Sequence, residues 1–141
     1  MIQIVKENVV LGSYEVIIMK AEQRMVKKFH TKMGFTVNKY PTIIKLELNK
    51  NRLDLLKGEV KELEKGIMNV NIVEIADALG DILYVVLGTA VAHGIEMSDI
   101  FYEIHKSNMT KEPSRVTDGK AIKGMWYETP NLMPIIKEQL K

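Results

Sequence analysis

Apolar side chains recur every three or four residues in several stretches of the chain, which is the spacing of one face of an α-helix. The apolar positions indicate a first helix that ends near Met33, a second that reaches Lys65 and a third that reaches His93. The predicted apolar stripe of the second helix consists of Leu53, Leu56, Val60 and Leu63. A fourth and a short fifth helix follow. The pattern therefore predicts an all-α domain in which four or five helices pack antiparallel. The predicted helices are 14–33, 49 or 51 to 65, 72–93, 99–109 and 132–140.

Residues that commonly start or stop helices lie between these stretches. Glycine follows the first three predicted helices at positions 34, 66 and 94, where it suits a helix C-cap. Asn71 is a suitable N-cap for the third helix, and Glu74 stands three residues later, as in a capping box. The helix boundaries predicted from periodicity and those predicted from capping residues therefore agree.

The third helix is the most apolar. After Asp81 its residues are apolar nearly all round, which predicts a central, buried helix. Gly80 and Gly88 lie eight residues apart on nearly the same face, and each costs a helix about 1 kcal/mol relative to alanine. We therefore expect another backbone to approach closely there, either from this chain or from a second subunit.

Two segments do not follow a helical pattern. The first dozen residues are β-prone but short, and we expect a short irregular arm there. Residues 110–128 contain Pro113, Gly119 and Gly124 among several basic residues, which predicts a mobile or ligand-ordered loop. With no internal repeat, residues 1–141 are expected to form a single domain.

Composition excludes several classes of function. The absence of cysteine rules out disulfides, thiolate metal sites and cysteine nucleophiles, and it is compatible with a reducing cytoplasm. A formal net charge of +2 predicts no stable complex with nucleic acid. The apolar run Ile82–Ala92 is too short to span a bilayer, and the N-terminus lacks a signal-peptide pattern. We expect a soluble, cytoplasmic protein without membrane attachment.

Acidic residues recur at helical spacing in the second and third helices. Glu59 and Glu62 lie one turn apart, and each has a plain alternative role on a solvated face flanked by lysines. Glu74 has the alternative role of helix cap. Asp77 and Asp81 differ, because aspartate disfavours helix interiors and Asp81 adjoins the apolar run. Asp81 is expected to be partly buried and to need a partner, either a basic side chain or a metal ion.

Four segments together resemble a known superfamily. The acids form the pattern ExxE, then ExxD after an 11-residue gap. The segments, in order, are VKKFHTKMGFTVNKYPT, RLDLLKGEVKELEKG, EIADALGDILYVVLGTAVAHGI and EIHKSNMTK. They resemble the all-α nucleoside triphosphate pyrophosphohydrolases, which include MazG, dimeric dUTPase and phosphoribosyl-ATP pyrophosphohydrolase. The resemblance covers roughly residues 25–130 and is strongest to the MazG-like branch.

The chain departs from that pattern in two places. Many relatives carry EExxE in the second helix, whereas this chain has Gly58 before Glu59. The ExxD motif can also be aligned in two ways. Read literally it is Glu74 and Asp77, but alignment on the following apolar run makes Asp81 the family aspartate and leaves Ala78 at the glutamate position.

The resemblance implies a site for a divalent metal ion, Mg²⁺ or Mn²⁺ in its place, because carboxylate oxygens are hard ligands. Either Glu59 or Glu62 is expected to act also as the general base. Phosphate contacts are expected from Lys111 above all and from Asn108, and His30 is expected at the base pocket. The implied metal ligands are Glu59, Glu62, Glu74, Asp77 and Asp81, and the further candidate phosphate contacts are Lys106, Arg115, Lys120 and Lys123.

The leading functional prediction is a Mg²⁺-dependent nucleotide pyrophosphohydrolase that converts a (d)NTP to the monophosphate and pyrophosphate, in nucleotide-pool house-cleaning. One alternative is hydrolysis of phosphoribosyl-ATP. Another is a catalytically inactive helical interaction protein of the same fold, which the missing acid at Gly58 would favour. The glycines of the third helix and the resemblance both predict a homodimer or a homotetramer. The preferred base and sugar do not follow from the sequence.

Overall fold

The computed structural model describes residues 10–113 and 119–141, except for the side chains of residues 10–19. Most of the predicted N-terminal arm and Arg115 therefore lie outside the described residues. The described chain forms five helices, which confirms the all-α fold, and its only β-structure is one antiparallel bridge between Glu112 and Ile122. The helices are α1 Val10–Met33, α2 Leu46–Met68, α3 Ile72–His93, α4 Met97–Asn108 and α5 Met133–Gln139.

The chain divides into two compact units. One is Ala21–Glu96, which contains the end of α1 together with α2 and α3. The other combines Met1–Lys20 with Met97–Lys141 and contains α4 and α5. All five acids of the predicted metal site belong to the first unit.

Helices α2 and α3 pack against each other and are joined by a tight turn at residues 69–71. Asn71 donates its backbone N–H to the Gly66 carbonyl over 3.0 Å. A β-carbon on Gly66 would lie 3.0 Å from the backbone nitrogen of Ile75, so the two helices meet closely at this glycine. The prediction that Gly66 ends α2 was therefore wrong. The helix continues to Met68, and the glycine lets α3 pack against it.

The predicted caps of α3 are present at both ends. The Asn71 side chain accepts hydrogen bonds from the N–H groups of Val73 and Glu74, at 3.0 and 3.3 Å. Gly94 ends the helix in the left-handed region, with φ of 68°. The prediction of a capping box was wrong, because the Glu74 carboxylate accepts a hydrogen bond from the side-chain amide of Asn69 instead.

A loop, residues 34–45, is fixed to the carboxyl end of α3. Asn38 donates its side-chain amide to the Ala92 carbonyl at 2.6 Å, and Thr42 donates its N–H to the His93 carbonyl at 2.8 Å. His93 Nδ1 donates back to the Thr42 carbonyl over 3.0 Å. These bonds satisfy carbonyls that the last turn of a helix leaves without partners, and they hold the loop in place.

The inner face of α2 differs from the predicted apolar stripe. Leu53 and Val60 were predicted to be inside, but each is 50% exposed. Between residues 50 and 65 the less exposed positions are instead 52, 56, 59 and 63, at spacings of four, three and four residues. Arg52 and Glu59 therefore share the inner face with two leucines, and two charged side chains lie two helical turns apart along it.

The buried residues of helix α3 lie mostly toward its carboxyl end, with Ala78 as the exception. Ala90, Val91 and Ala92 are buried, whereas Ile72 is 75% and Leu79 is 51% exposed. The expectation of a central helix that is buried after Asp81 therefore holds for residues 87, 88 and 90–92 and is wrong for Leu83, Tyr84 and Val86, which are exposed. By length and composition α3 also satisfies the criteria for a membrane-spanning helix, as core helices of soluble proteins can.

The two glycines of α3 have different surroundings. A β-carbon on Gly80 would meet nothing within 4 Å. On Gly88 it would lie 2.5 Å from Arg52 Nη2 and 2.8 Å from His30 Nε2. The prediction of a close backbone approach within the chain is therefore wrong at both positions. Gly88 makes room for two polar side chains.

The second unit is held together around α4. Ser107 is buried and donates its hydroxyl to the Glu128 carbonyl at 2.7 Å, and the Glu128 N–H donates to Thr110 Oγ1 at 2.9 Å. Glu103 accepts from the backbone N–H of Asn131 at 3.0 Å. Thr110 and Glu128, the two ends of the predicted loop 110–128, are therefore hydrogen-bonded to the end of α4.

Candidate functional site

The charges of three carboxylates act on a fourth, Glu59, where α2 and α3 pack together. Glu59 and Glu62 lie one turn apart on α2, and Asp77 and Asp81 one turn apart on α3. Desolvation raises the pKa of Glu59, and the negative charges of Asp81, Glu62 and Asp77 raise it further. Acids from both predicted motifs therefore contribute to one concentration of negative charge, formed by Glu59, Glu62, Asp77 and Asp81, which we call the acid cluster.

Among the described residues, no cation forms an ion pair with an acid of the cluster. The ion pairs Lys106–Glu103 and Lys141–Glu138 both lie in the other unit. Asp81 is exposed, so the expectation that it is partly buried was wrong. Its need for a partner arises from neighbouring negative charges and not from burial.

A cavity of about 430 Å³ adjoins the acid cluster. Glu62, Glu74 and Asp77 line it together with Lys61 and Lys65. Asp77 therefore belongs both to this cavity and to the group that acts on Glu59, whereas Glu74 lines the cavity without affecting Glu59. Negative and positive side chains together suit a ligand that is itself a metal–phosphate complex.

The donor set matches a hard divalent cation in its chemistry. Every acid in the predicted site supplies carboxylate oxygens, the ligands that Mg²⁺ and Mn²⁺ prefer. Among the described residues, no three Asp, Glu or His side chains already converge as a ligand set. The carboxylates would therefore have to rotate to share one ion. Glu62, Asp77 and Asp81 are exposed, so they have room to do so.

A second cavity, of about 290 Å³, lies in the same unit and contains the predicted substrate residue His30. His30 is 3% exposed, and its Nδ1 donates to the Thr36 carbonyl at 3.0 Å. Apolar side chains, Phe35 and Leu48 among them, form much of the lining. The polar residues that line it are His30, Thr36, Asn51 and Arg52.

Arg52 is the functional candidate that sequence reasoning missed. Its Nε donates to Thr89 Oγ1 at 3.1 Å and its Nη2 to the Val85 carbonyl at 2.8 Å. Burial lowers the pKa of its guanidinium group. A signal was available, since Arg52 and Glu59 are seven residues apart and alternate with Leu56 and Leu63 at helical spacing.

The remaining predicted substrate residues lie in the other unit. Asn108, at the end of α4, is exposed, and so is Lys120. Lys111 and Lys123 both approach the ring of Tyr127, with Nζ 6.0 and 4.9 Å from its centroid. Their contact with phosphate stays a prediction.

Comparison with known proteins identifies the family to which the chain belongs. Over 48 residues it is 52% identical to the uncharacterized protein L479 of Acanthamoeba polyphaga mimivirus, a segment that is 34% of this chain and 19% of that protein. The chain therefore matches less than a fifth of the length of this relative. The sequence model of the phosphoribosyl-ATP pyrophosphohydrolase family matches residues 26–108, which include both acid pairs. Because that match covers more than half of the chain, the chain belongs to the phosphoribosyl-ATP pyrophosphohydrolase family.

Proposed function

We propose that this chain is a Mg²⁺-dependent nucleotide pyrophosphohydrolase that hydrolyses a (d)NTP to the (d)NMP and pyrophosphate. The family is one of pyrophosphohydrolases, and it supports a hydrolase that acts on pyrophosphate bonds. Mn²⁺ could replace Mg²⁺, and house-cleaning of the nucleotide pool in the cytoplasm is the proposed role. The substrate, the metal ion and the location in the cell belong to the proposal.

The observation that carries this proposal is the unpaired acid cluster beside a cavity that also contains lysines. Glu59, Glu62, Asp77 and Asp81 would hold the metal ion, together with Glu74, which lines the adjoining cavity. When bound, the ion would neutralise phosphate oxygens and lower the pKa of a coordinated water. Without a cation, the cluster would keep its mutual repulsion uncompensated.

The chain's own side chains would share the remaining tasks. Glu59, the least exposed carboxylate of the cluster, would accept the proton of an attacking water. The water oxygen would form a bond to phosphorus as the bond between the α and β phosphates breaks, and pyrophosphate would leave. Lys61 and Lys65 line the cavity and would hold the phosphate oxygens.

A substrate panel tests the activity. NTPs, dNTPs and phosphoribosyl-ATP are incubated with the full chain and Mg²⁺, and pyrophosphate release is measured. We expect release from at least one (d)NTP and none in EDTA. Release from phosphoribosyl-ATP alone would contradict the proposal and establish the alternative substrate.

Two variants and a matched control test the site. Glu62→Ala and Asp81→Ala are each expected to lower kcat at least about 100-fold, because each removes a charge that the metal–phosphate complex needs. Glu64→Ala, an exposed acid on α2 outside the cavity lining, should keep the wild-type rate. Circular dichroism should show unchanged helicity in all three. Near-normal rates in the two site variants would exclude this site.

An inactive interaction protein of the same fold is the second candidate function. The observation that favours it is Gly58, which stands where many members of the superfamily have an acid. A side chain at Gly58 would meet nothing within 4 Å, so the missing carboxylate has not been replaced by another group at that point. Calorimetry with Mg²⁺ decides between the two, because an inactive protein of this kind would show neither metal binding nor turnover.

A further inference from the structure

The turn that joins α2 to α3 holds one residue in an unfavourable backbone conformation. Val70 has a φ of 52°, and among the described residues it is the one other than glycine with a positive φ. A β-branched side chain disfavours this left-handed region, where glycine is the usual residue. Val70 is 89% exposed, so burial of its side chain does not offset the strain. The conformation must therefore be held by the hydrogen bonds and packing around it.

Backbone hydrogen bonds and close packing hold this turn. The Val70 N–H donates to the Ile67 carbonyl at 3.0 Å, and the Asn71 N–H donates to the Gly66 carbonyl at 3.0 Å. Asn71 also caps α3, and α3 packs closely on Gly66. Because the chain is fixed on both sides of Val70, the end of α2 and the start of α3 keep one relative position. Asn69, the C-cap residue of α2, therefore has a defined place beside the first turn of α3.

Asn69 forms a hydrogen bond with Glu74 from this position. Its side-chain Nδ2 donates to Glu74 Oε2 at 3.0 Å. Since Asn69 ends α2 and Glu74 lies in the first turn of α3, the bond joins the two helices. An ionised carboxylate has about four lone-pair sites on its two oxygens, so one hydrogen bond uses only part of its capacity to accept. The Glu74 carboxylate is thus oriented and still able to bind a cation.

Glu74 lines the cavity in which a metal–phosphate complex is proposed to bind. Glu62 and Asp77 line the same 430 Å³ cavity. Those two side chains are exposed and have to rotate before they share an ion, which costs conformational entropy. Glu74 is less exposed, and its bond to Asn69 has already removed part of that freedom. Hydrogen bonds that orient metal ligands commonly strengthen metal binding.

We propose that Asn69 is a positioning residue of the metal site, whose side-chain amide orients the Glu74 carboxylate for a divalent cation. This inference rests on the part of the proposed function that places a metal ion beside Glu74. Asn69 acts through Glu74, and the conformation of Val70 holds it within hydrogen-bonding distance of that carboxylate. The amide reduces the side-chain freedom that metal binding would otherwise have to remove.

Binding of Mn²⁺ to the metal-free full chain tests this role apart from turnover. Mn²⁺ prefers the same oxygen ligands as Mg²⁺, and electron paramagnetic resonance measures the free ion. Asn69→Ala is expected to weaken Mn²⁺ binding about 10-fold, the lower end of the effects of such orienting groups, because this hydrogen bond is exposed. Asn69→Gln keeps an amide donor and should recover most of the affinity. Asn51→Ala removes another exposed asparagine of α2, outside this cavity, and should bind Mn²⁺ like the wild type.

A double-mutant cycle shows whether Asn69 acts through Glu74. Glu74→Ala alone should weaken Mn²⁺ binding. Adding Asn69→Ala to it should cause no further loss, because the amide then has no carboxylate to orient. Val70→Gly is the control for the stability of the turn, since glycine accepts the same φ without strain. It should raise the melting temperature and leave the Mn²⁺ affinity unchanged.

The outcomes separate this inference from the proposed function. Weaker Mn²⁺ binding in Asn69→Ala, with no pyrophosphate release by the wild type from any triphosphate, would exclude the proposed function and leave the inference standing. Wild-type affinity in Asn69→Ala, or the same loss from that change with and without Glu74, would overturn the inference even in an active enzyme. Tighter binding in Asn69→Ala would show that the amide withholds Glu74 from the ion, and it would overturn the inference as well. A wild type that binds no Mn²⁺ would overturn both.

Discussion

The charge on single residues of the acid cluster has a consequence for stability. Asp81 raises the pKa of Glu59, which means that the two carboxylates repel each other in the folded chain. Asp81→Asn is therefore expected to stabilise the metal-free protein by about 0.5 kcal/mol, a value reduced by solvent screening because Asp81 is exposed. Urea unfolding in EDTA measures this.

The matched control for that variant is Asp54→Asn, which neutralises another exposed aspartate, this one on α2. Asp54 is not among the groups that act on Glu59, so no stabilisation is expected. With Mg²⁺ present the order should reverse, because Asp81→Asn loses a proposed ligand. Equal stability of both variants in EDTA would show that Asp81 does not repel Glu59 measurably.

The raised pKa of Glu59 also predicts the sign of a pH effect. The folded state binds the Glu59 proton more tightly than the unfolded state does, so stability is greatest below the ordinary glutamate pKa range for this group. Its contribution is lost as pH rises from that range through the raised folded value. In EDTA, the melting temperature of Asp81→Asn should fall less across this window than that of the wild type. A steeper fall in the variant would contradict the coupling.

Gly94 and Gly34 form a second matched pair at the residue scale. Both have positive φ, 68° and 71°, so alanine is strained at either position by about 1 kcal/mol. A β-carbon on Gly34 would meet nothing within 4 Å, whereas on Gly94 it would overlap the Tyr40 carbonyl oxygen. Gly94→Ala should therefore destabilise the protein by at least about 1 kcal/mol more than Gly34→Ala. Equal losses in thermal unfolding would show that the loop 34–45 moves aside freely.

The sequence predicts the acids of the candidate site better than it predicts its cations. Carboxylates at helical spacing on two neighbouring helices indicate shared charge whatever the exact helix rotation. Arg52 was missed because its role depends on α3, whose Val85 carbonyl and Gly88 receive its guanidinium group. The spacing of Arg52 and Glu59 indicates a shared helix face, but the contact with α3 joins residues more than 30 positions apart, which helical spacing does not reveal.

At the scale of the helices, the periodicity of apolar residues predicts where a helix occurs and how long it is. It does not predict which side of the helix faces the core. All five helices occur close to their predicted ranges, because the repeat of apolar residues is strong. The inner face of α2 was predicted wrongly, since leucines and valines occur on more than one side of it. Burial is settled by packing against α3, which leaves Val60 half exposed and turns Glu59 inward. Tertiary contacts therefore decide among faces of similar hydrophobicity.

Alanine substitutions of two glycines within α2 are expected to change the stability of the protein in opposite directions. A β-carbon on Gly58 would meet nothing within 4 Å, so Gly58→Ala should stabilise the protein by about 1 kcal/mol through helix propensity. On Gly66 it would lie 3.0 to 3.1 Å from the backbone of α3 and from Glu74 Cβ. Gly66→Ala should therefore destabilise the protein by about 1 to 3 kcal/mol, because α3 must shift. Urea unfolding of both variants measures this, and stabilisation by both would show that the helices separate easily.

At the scale of the whole molecule, one apolar face of α3 is exposed to solvent. Ile72, Leu79, Leu83 and Val86 repeat at spacings of seven, four and three residues, so they share one face of the helix, and each is at least about a third exposed. The acids of α3, centred on Asp77 and Asp81, lie on the opposite side by helical geometry. An apolar stripe left open in one copy of a chain is typical of a surface that another copy covers.

The proposed homodimer or homotetramer would bury this stripe, and one variant tests it. Leu79→Glu places a charge at the middle of the stripe and should convert the assembly to a monomer, because burying an unpaired carboxylate is costly. Light scattering at micromolar concentration measures the mass. Ile43→Glu is the control, since Ile43 is 90% exposed in the loop 34–45 and away from the stripe, and it should keep the wild-type mass. A monomeric wild type would exclude self-association, and an unchanged mass in Leu79→Glu would move the interface off this face of α3.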